Sequence, residues 1–300
     1  MEQIVKNNPI DYANLKKILR ELAERYPFLV IDSLSKSACG REIPVIKLGR
    51  AREYVLLAAA FHGSEHITSN VLLRFIEQVA DSVSRNSEIG GFNMRKVLMG
   101  RGVIFVPVVN PDGVEIAMHG SAAAMHLRGL VERVSKGDTT HWNANARGVD
   151  INHNFDADWA TLHKAEQEAG IFGPAPTRYG GHKPMSECEN EALVKLCRTY
   201  KIRHAVALHS QGEVIYWSYK DKEPPRAKKM AEIMATSSAY QLDEARGIAE
   251  GGGFKDWFIS EFNRPAFTVE LGLGENPLPI ETAGEIYNKV REMLIISLAM

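Results

Sequence analysis

Short apolar runs alternate with stretches of helical periodicity along this chain, and that alternation constrains its fold more than any other feature. FLVIDSL, EIPVIKLG, EYVLLAAA, VIFVPVV, HAVALHS, EVIYWSY and AFTVELG are rich in β-branched and aromatic residues. Several are apolar on both faces, as central strands of a covered sheet must be. Between them, apolar residues recur at helical spacing over 66–86, 186–200, 226–240, 254–262 and 281–299. An amphipathic helix over 11–26, with Tyr12, Leu15, Ile18, Leu19 and Leu22 on one side, comes first and stops before Pro27. The pattern predicts a single α/β domain whose central sheet is mixed, largely parallel and twisted, with helices on its faces. We read residues 1–40 as an N-terminal helix and strand extension and 41–300 as the core. Residues 110–185, rich in Gly, Asn, Asp, His and Pro, read as one long connection, and long ordered connections usually carry function.

Composition excludes several classes of function. With 36 basic and 37 acidic residues, scattered rather than blocked, nothing steers the chain toward nucleic acid or anionic lipid. The N-terminal stretch is polar, and no run is long and apolar enough to span a bilayer, so a cytoplasmic protein is expected. Cys39, Cys188 and Cys197 are odd in number and lack CxxC spacing, which reads as reduced thiols.

The run His62-Gly63-Ser64-Glu65-His66 admits two metal sites. If His62 and His66 are ligands one helical turn apart, Glu65 is the general base. If His62 and Glu65 are the ligands, a distant His must complete the set and the base must come from elsewhere. The run follows directly on EYVLLAAAF, at the C-terminal end of a strand, where open α/β sheets bind ligands. Gly63 is a poor helix former and Ser64 suits a loop, so the geometry favours His62 and Glu65. His209 closes HAVALHS and Glu270 closes AFTVELG in the same manner. A carboxylate after so apolar a strand is costly unless paired, metal-bound or catalytic. These two residues offer a third ligand and a base.

HGSE, NPDG (Asn110 to Gly113), RGVDINHNFD (Arg147 to Asp156), ALHS, GGGFKDW (Gly251 to Trp257) and FTVELG, in that order between about 40 and 275, resemble the zinc carboxypeptidase family. The resemblance implies one zinc ion per chain, held by His62, Glu65 and His209 with water in the open position. It further implies Glu270 as general base and Asp150 as the carboxylate that orients His62. A cation is needed beside the developing oxyanion, and Arg147, in the same loop as Asp150, is the candidate.

Departures from the family pattern bear on substrate. The Asn-Arg pair that reads a terminal carboxylate is Asn152-His153 here, and the bidentate guanidinium fork is gone. Ile248 stands where the family has a tyrosine, and Ser64 where it has an arginine. The resemblance implies that Lys255 falls at the position lining the pocket for the residue after the scissile bond, where it suits a carboxylate on that residue's side chain. The chain is most similar to the γ-D-glutamyl-meso-diaminopimelate peptidase subgroup, through Trp142 to Asp150 and YPFLVIDSLSKSACGREIPVIKLG; His153 and Asn143 are departures even there. The expected substrate is therefore a cell-wall peptide. A conventional carboxypeptidase taking acidic or polar ends, an N-acyl amino acid deacylase and a catalytically inactive zinc-binding module are the rivals.

Overall fold

The computed structural model describes residues 2–244, 247 and 250–300. The helix α1 (Tyr12–Arg25) opens on Asp11, whose side chain accepts from the Asn14 N–H, and buries Leu15, Ile18 and Leu22. Strands β1 (Val30–Lys36), β2 (Glu42–Leu48) and β3 (Tyr54–Ala59) follow, then α2 (Ile67–Arg85), which ends on Asn86 in the left-handed conformation. A two-residue hairpin, β4 (Glu88–Ile89) and β5 (Phe92–Asn93), and the one-turn α3 (Met94–Val97) lead into β6 (Gly102–Val106). Next come α4 (Pro111–His119), α5 (Arg128–Ser135), α6 (Trp159–Glu168), α7 (Cys188–Thr199), β7 (Ile202–His209) and β8 (Val214–Tyr216). The chain closes with α8 (Arg226–Ser238), β9 (Gln241–Asp243), α9 (Phe254–Phe262), β10 (Ala266–Glu270) and α10 (Ala283–Ala299).

Eight strands form one sheet in the order β1-β2-β6-β3-β7-β10-β8-β9. The four central strands, β6, β3, β7 and β10, run parallel to one another, and antiparallel pairings join β2 and β8 to them. Their side chains are buried on both faces, as at Leu56, Leu57, Val206 and Phe267, which is why these runs carry no polar alternation. The mixed sheet is as expected, with its parallel part in the middle.

The connection over 110–185 is more structured than its composition suggests, because it contains α4, α5 and α6. Local chemistry starts α4: the Asn110 side chain accepts from the Gly113 N–H at 2.8 Å, and Pro111 takes the first turn, where no amide donor is needed. α5 and α6 bury only two residues each, and the buried residues of α4 run almost consecutively, so none of the three shows a period. The first 40 residues share the sheet through β1 and are tied to α4. The Asp112 carboxylate, fully buried, accepts from Ser37 Oγ, the Cys39 N–H and Arg41 Nη1 at 2.7–2.8 Å.

Cys39, Cys188 and Cys197 are free thiols, and burial pushes the Cys39 thiol up to about 12. No helix among the described residues is long and apolar enough to cross a membrane.

His204, on β7, is fully buried, and its Nε2 bonds the Ser297 carbonyl at 2.7 Å. Burial pulls its pKa down to about 4. The unfolded chain, titrating near 6.5, therefore takes up this proton first, so stability present above pH 6.5 is lost as pH falls toward 4. The loss from this one group is about 3 kcal/mol. Denaturant titrations between pH 7 and pH 4 should show it, and His204→Asn should flatten the dependence. An unchanged slope in that variant would count against the assignment.

Candidate metal centre

Strands β3, β7 and β10 lie side by side and end at one edge of the sheet, with Ala59 opposite Leu208 and His209 opposite Glu270. Beyond β3, His62 is extended (φ −105°, ψ 142°), and a single 3-10 turn, Gly63–Glu65, swings Glu65 back beneath it. Gly63 is required here by close packing: a Cβ would stand 2.2 Å from the Gly113 carbonyl oxygen and 2.5 Å from that of Trp142. The backbone of the turn thus docks directly on NPDG and on the Trp142 segment. His66 only begins α2, its Nδ1 buried and unpartnered. No helix spans 62–66, so the arrangement with His66 as ligand does not form.

Three side chains converge at the edge. His62, Glu65 and His209 each offer a ligand atom, all within 4.8 Å of one another. His62 Nδ1 lies 2.8 Å from Glu65 Oε1, His209 Nδ1 lies 3.1 Å from Glu65 Oε2, and the two ring nitrogens are 3.3 Å apart. Two imidazole nitrogens facing one carboxylate and each other are placed to share one cation. Tetrahedral ligands at about 2.0–2.2 Å from zinc stand roughly 3.3 Å from their neighbours, so this donor set and its spacing fit that ion. Against burial, the two rings hold the Glu65 carboxyl down to about 2.

Behind His62, its Nε2 meets Asp150 Oδ1 at 3.1 Å. Asp150 is itself fixed by the Arg178 and Asn152 N–H groups at 2.8 and 3.1 Å. Burial alone would raise this carboxyl, but the His62 and His153 rings and the hydrogen bonds keep it well below the carboxylate range. Glu270 stands beside His209, one strand over at the end of β10. Burial and then the neighbouring Glu65 carboxylate push its pKa well above the usual value.

Two cavities flank these groups. One of about 460 Å³ is lined by Ser64, Asn143, Ser210, Gln211 and Glu275, and the other, about 180 Å³, by Asn152, His153, Lys255, Asp256 and Thr268. Tyr216 and Glu270 border both.

Asn152, His153 and Lys255, singled out from the sequence, thus share the smaller cavity. Asn152 Oδ1 accepts from the Phe254 N–H at 3.0 Å, which anchors the start of α9. Lys255 is buried rather than solvated; its Nζ donates to the Ser218 carbonyl at 2.6 Å and pairs with Asp256. Arg147 corrects an expectation. Its side chain is half exposed, pairs with Glu187 at 3.6 Å and lines neither cavity. Asn145 Oδ1 accepts from the N–H groups of both Arg147 and Val149, and this tight turn sends Arg147 outward while Asp150 points in. Ile248 lies outside the described residues. Sequence reasoning misses Tyr216, Asp256 and Glu166, the last bonded to His153; only Asp256, inside GGGFKDW, has a nearby motif as a signal.

Comparison with known proteins agrees with the geometry. The pattern of the family described as "Zinc carboxypeptidase" matches residues 15–294. The γ-D-glutamyl-L-diamino acid endopeptidase 1 of Lysinibacillus sphaericus is 32% identical over 291 residues, covering 96% of this chain and 72% of that protein. Among solved structures, thrombin activatable fibrinolysis inhibitor superposes with a TM-score of 0.77 at 17% identity, over 100% of this chain and 76% of its own. The murein-tripeptide amidase of Escherichia coli O157 gives 0.56 at 22%, over 90% and 92%. At those identities the two structures speak to the fold alone.

Proposed function

The chain belongs to the zinc carboxypeptidase family of metallopeptidases, and from that premise we propose that it hydrolyses the γ-D-glutamyl-meso-diaminopimelate amide bond of bacterial cell-wall peptides. The observation that carries the reaction class is the meeting of His62, Glu65 and His209 opposite Glu270, at the junction of two cavities. His62, Glu65 and His209 would hold one zinc ion, which when bound polarises the scissile carbonyl and acidifies the attacking water.

Asp150 engages His62 Nε2 and so fixes the ring with Nδ1 turned to the other ligands. Glu270, with its affinity for protons raised by burial, takes the proton from water and returns it to the leaving amine. Asp150→Ala should weaken zinc binding roughly 10–100-fold, measured by competition with a chromophoric chelator. Unchanged affinity would remove Asp150 from this role.

Substrate preference rests on the smaller cavity. It presents the ammonium of Lys255 and the carboxylate of Asp256 together, a match for a residue whose far end carries both an amino group and a carboxylate. Diaminopimelate is such a residue, and the Lysinibacillus relative is named for bonds to diamino acids. His153 in place of an arginine removes the bidentate fork that suits a simple C-terminal carboxylate. The test compares kcat/KM for L-Ala-γ-D-Glu-meso-diaminopimelate with that for a blocked dipeptide of conventional type. A preference of at least about 100-fold is expected, the equivalent of about 2.7 kcal/mol. Comparable rates on both would favour a conventional carboxypeptidase.

A further inference from the structure

Glu166, on α6, has no exposed surface, yet two imidazoles hold its carboxylate. Oε1 accepts from His153 Nδ1 at 2.8 Å, and Oε2 meets His163 Nδ1 and the Gly180 N–H, each at 3.1 Å. Among the described residues no lysine or arginine bonds this carboxyl, so the two rings and the Gly180 N–H are the groups that hold it. The two rings are not equivalent. His163 lies flat on Trp159, with centroids 4.5 Å apart and planes at 11°, and Trp159 Nε1 donates to the Gly180 carbonyl at 2.8 Å. Only His153 borders the 180 Å³ cavity. With Nδ1 committed to Glu166, Nε2 is the edge it has left for a ligand. Lys255 and Asp256 both line that cavity and present opposite charges to it, whereas Glu166 stands behind the His153 ring and lines neither cavity.

We propose that Glu166 is a positioning residue that holds the His153 ring through Nδ1 and turns its Nε2 edge into the smaller cavity, so that His153 reads a carboxylate on the residue downstream of the scissile bond through an Nε2–H donor. A donor backed by a buried carboxyl thereby takes the place of a guanidinium. The choice of probe rests on the proposed diaminopimelate substrate; the binding measurement does not require turnover.

Calorimetric titration of the zinc-loaded protein with meso-diaminopimelate and with its dicarboxamide tests the proposal. Wild type should bind the dicarboxylate at least about ten-fold more tightly, the scale of one hydrogen bond to a charged group. In Glu166→Gln that ratio should shrink several-fold toward unity. A purely structural role would weaken both ligands alike and leave the ratio intact, and that result would overturn the proposal. So would a wild type that does not discriminate between them. Should Glu166→Gln fail to fold, His153→Gln must show the same narrowing. Cleavage of L-Ala-γ-D-Glu-meso-diaminopimelate by wild type, followed in parallel, judges the substrate separately: its absence defeats that substrate while the binding ratio still decides the role of Glu166.

Discussion

Replacing His209 by alanine is expected to release zinc, whereas replacing His66 should leave it bound. His209 ends β7 with its ring stacked on Phe61, 5.0 Å between centroids, and its Nδ1 is one of three donor atoms at the centre. Two protein ligands cannot close a zinc site of this class, so the loss of affinity should exceed the roughly 10–100-fold expected for Asp150→Ala. His66 is not among the donors that converge at the centre, and its buried Nδ1 has no hydrogen-bond partner to lose. Elemental analysis of the two purified variants, with circular dichroism to verify folding, separates the cases. Zinc retained by His209→Ala and lost by His66→Ala would restore the helical two-histidine site.

The second large effect falls on turnover. Glu270→Gln keeps the shape of the side chain and removes the base, so kcat should drop roughly 10²–10⁴-fold while zinc content stays at the wild-type level. Glu270 pairs with His209 across β10 and β7 and borders both cavities, so its backbone position is held by the sheet and does not depend on its charge. A variant that retains zinc and turns over at the wild-type rate would remove Glu270 from the chemistry. If wild type itself binds zinc and cleaves nothing, the chain is a binding module.

Much of the fold and of the candidate metal centre is legible in the amino-acid sequence. The central strands declare themselves because strands buried on both faces are mostly apolar, as in β3 and the Ala205–Leu208 run of β7. The two residues that close β7 and β10, His209 and Glu270, stand out because polar groups at the end of such runs have no packing reason to be there. Gly63 and Ser64 argue against a helix, and the fold supplies the reason in the contact of the Gly63 backbone with Gly113 and Trp142.

What the sequence does not disclose is information that only the folded chain contains. Arg147 is one residue from a glycine turn, and the direction of its side chain depends on how the Asn145 amide clasps that turn. Sequence proximity to Asp150 therefore misleads. Glu166 reaches His153 through a helix that composition alone does not reveal, and its carboxylate is held by the Gly180 N–H and the His163 ring, neither of them near it in a recognisable motif. The short β9 and the helices α5 and α6 carry too few buried positions for a period to emerge, and those of α4 run almost consecutively, several of them polar or Gly.

One measurement bears most directly on the function proposed: zinc content and cleavage followed in the same sample, through chelation and resupply, with L-Ala-γ-D-Glu-meso-diaminopimelate as substrate and products identified by mass spectrometry. One zinc per chain is expected, with cleavage at the γ-D-glutamyl bond that disappears on chelation and returns with zinc. Cleavage that survives removal of the metal, or a zinc-loaded protein that leaves this bond intact, would contradict it.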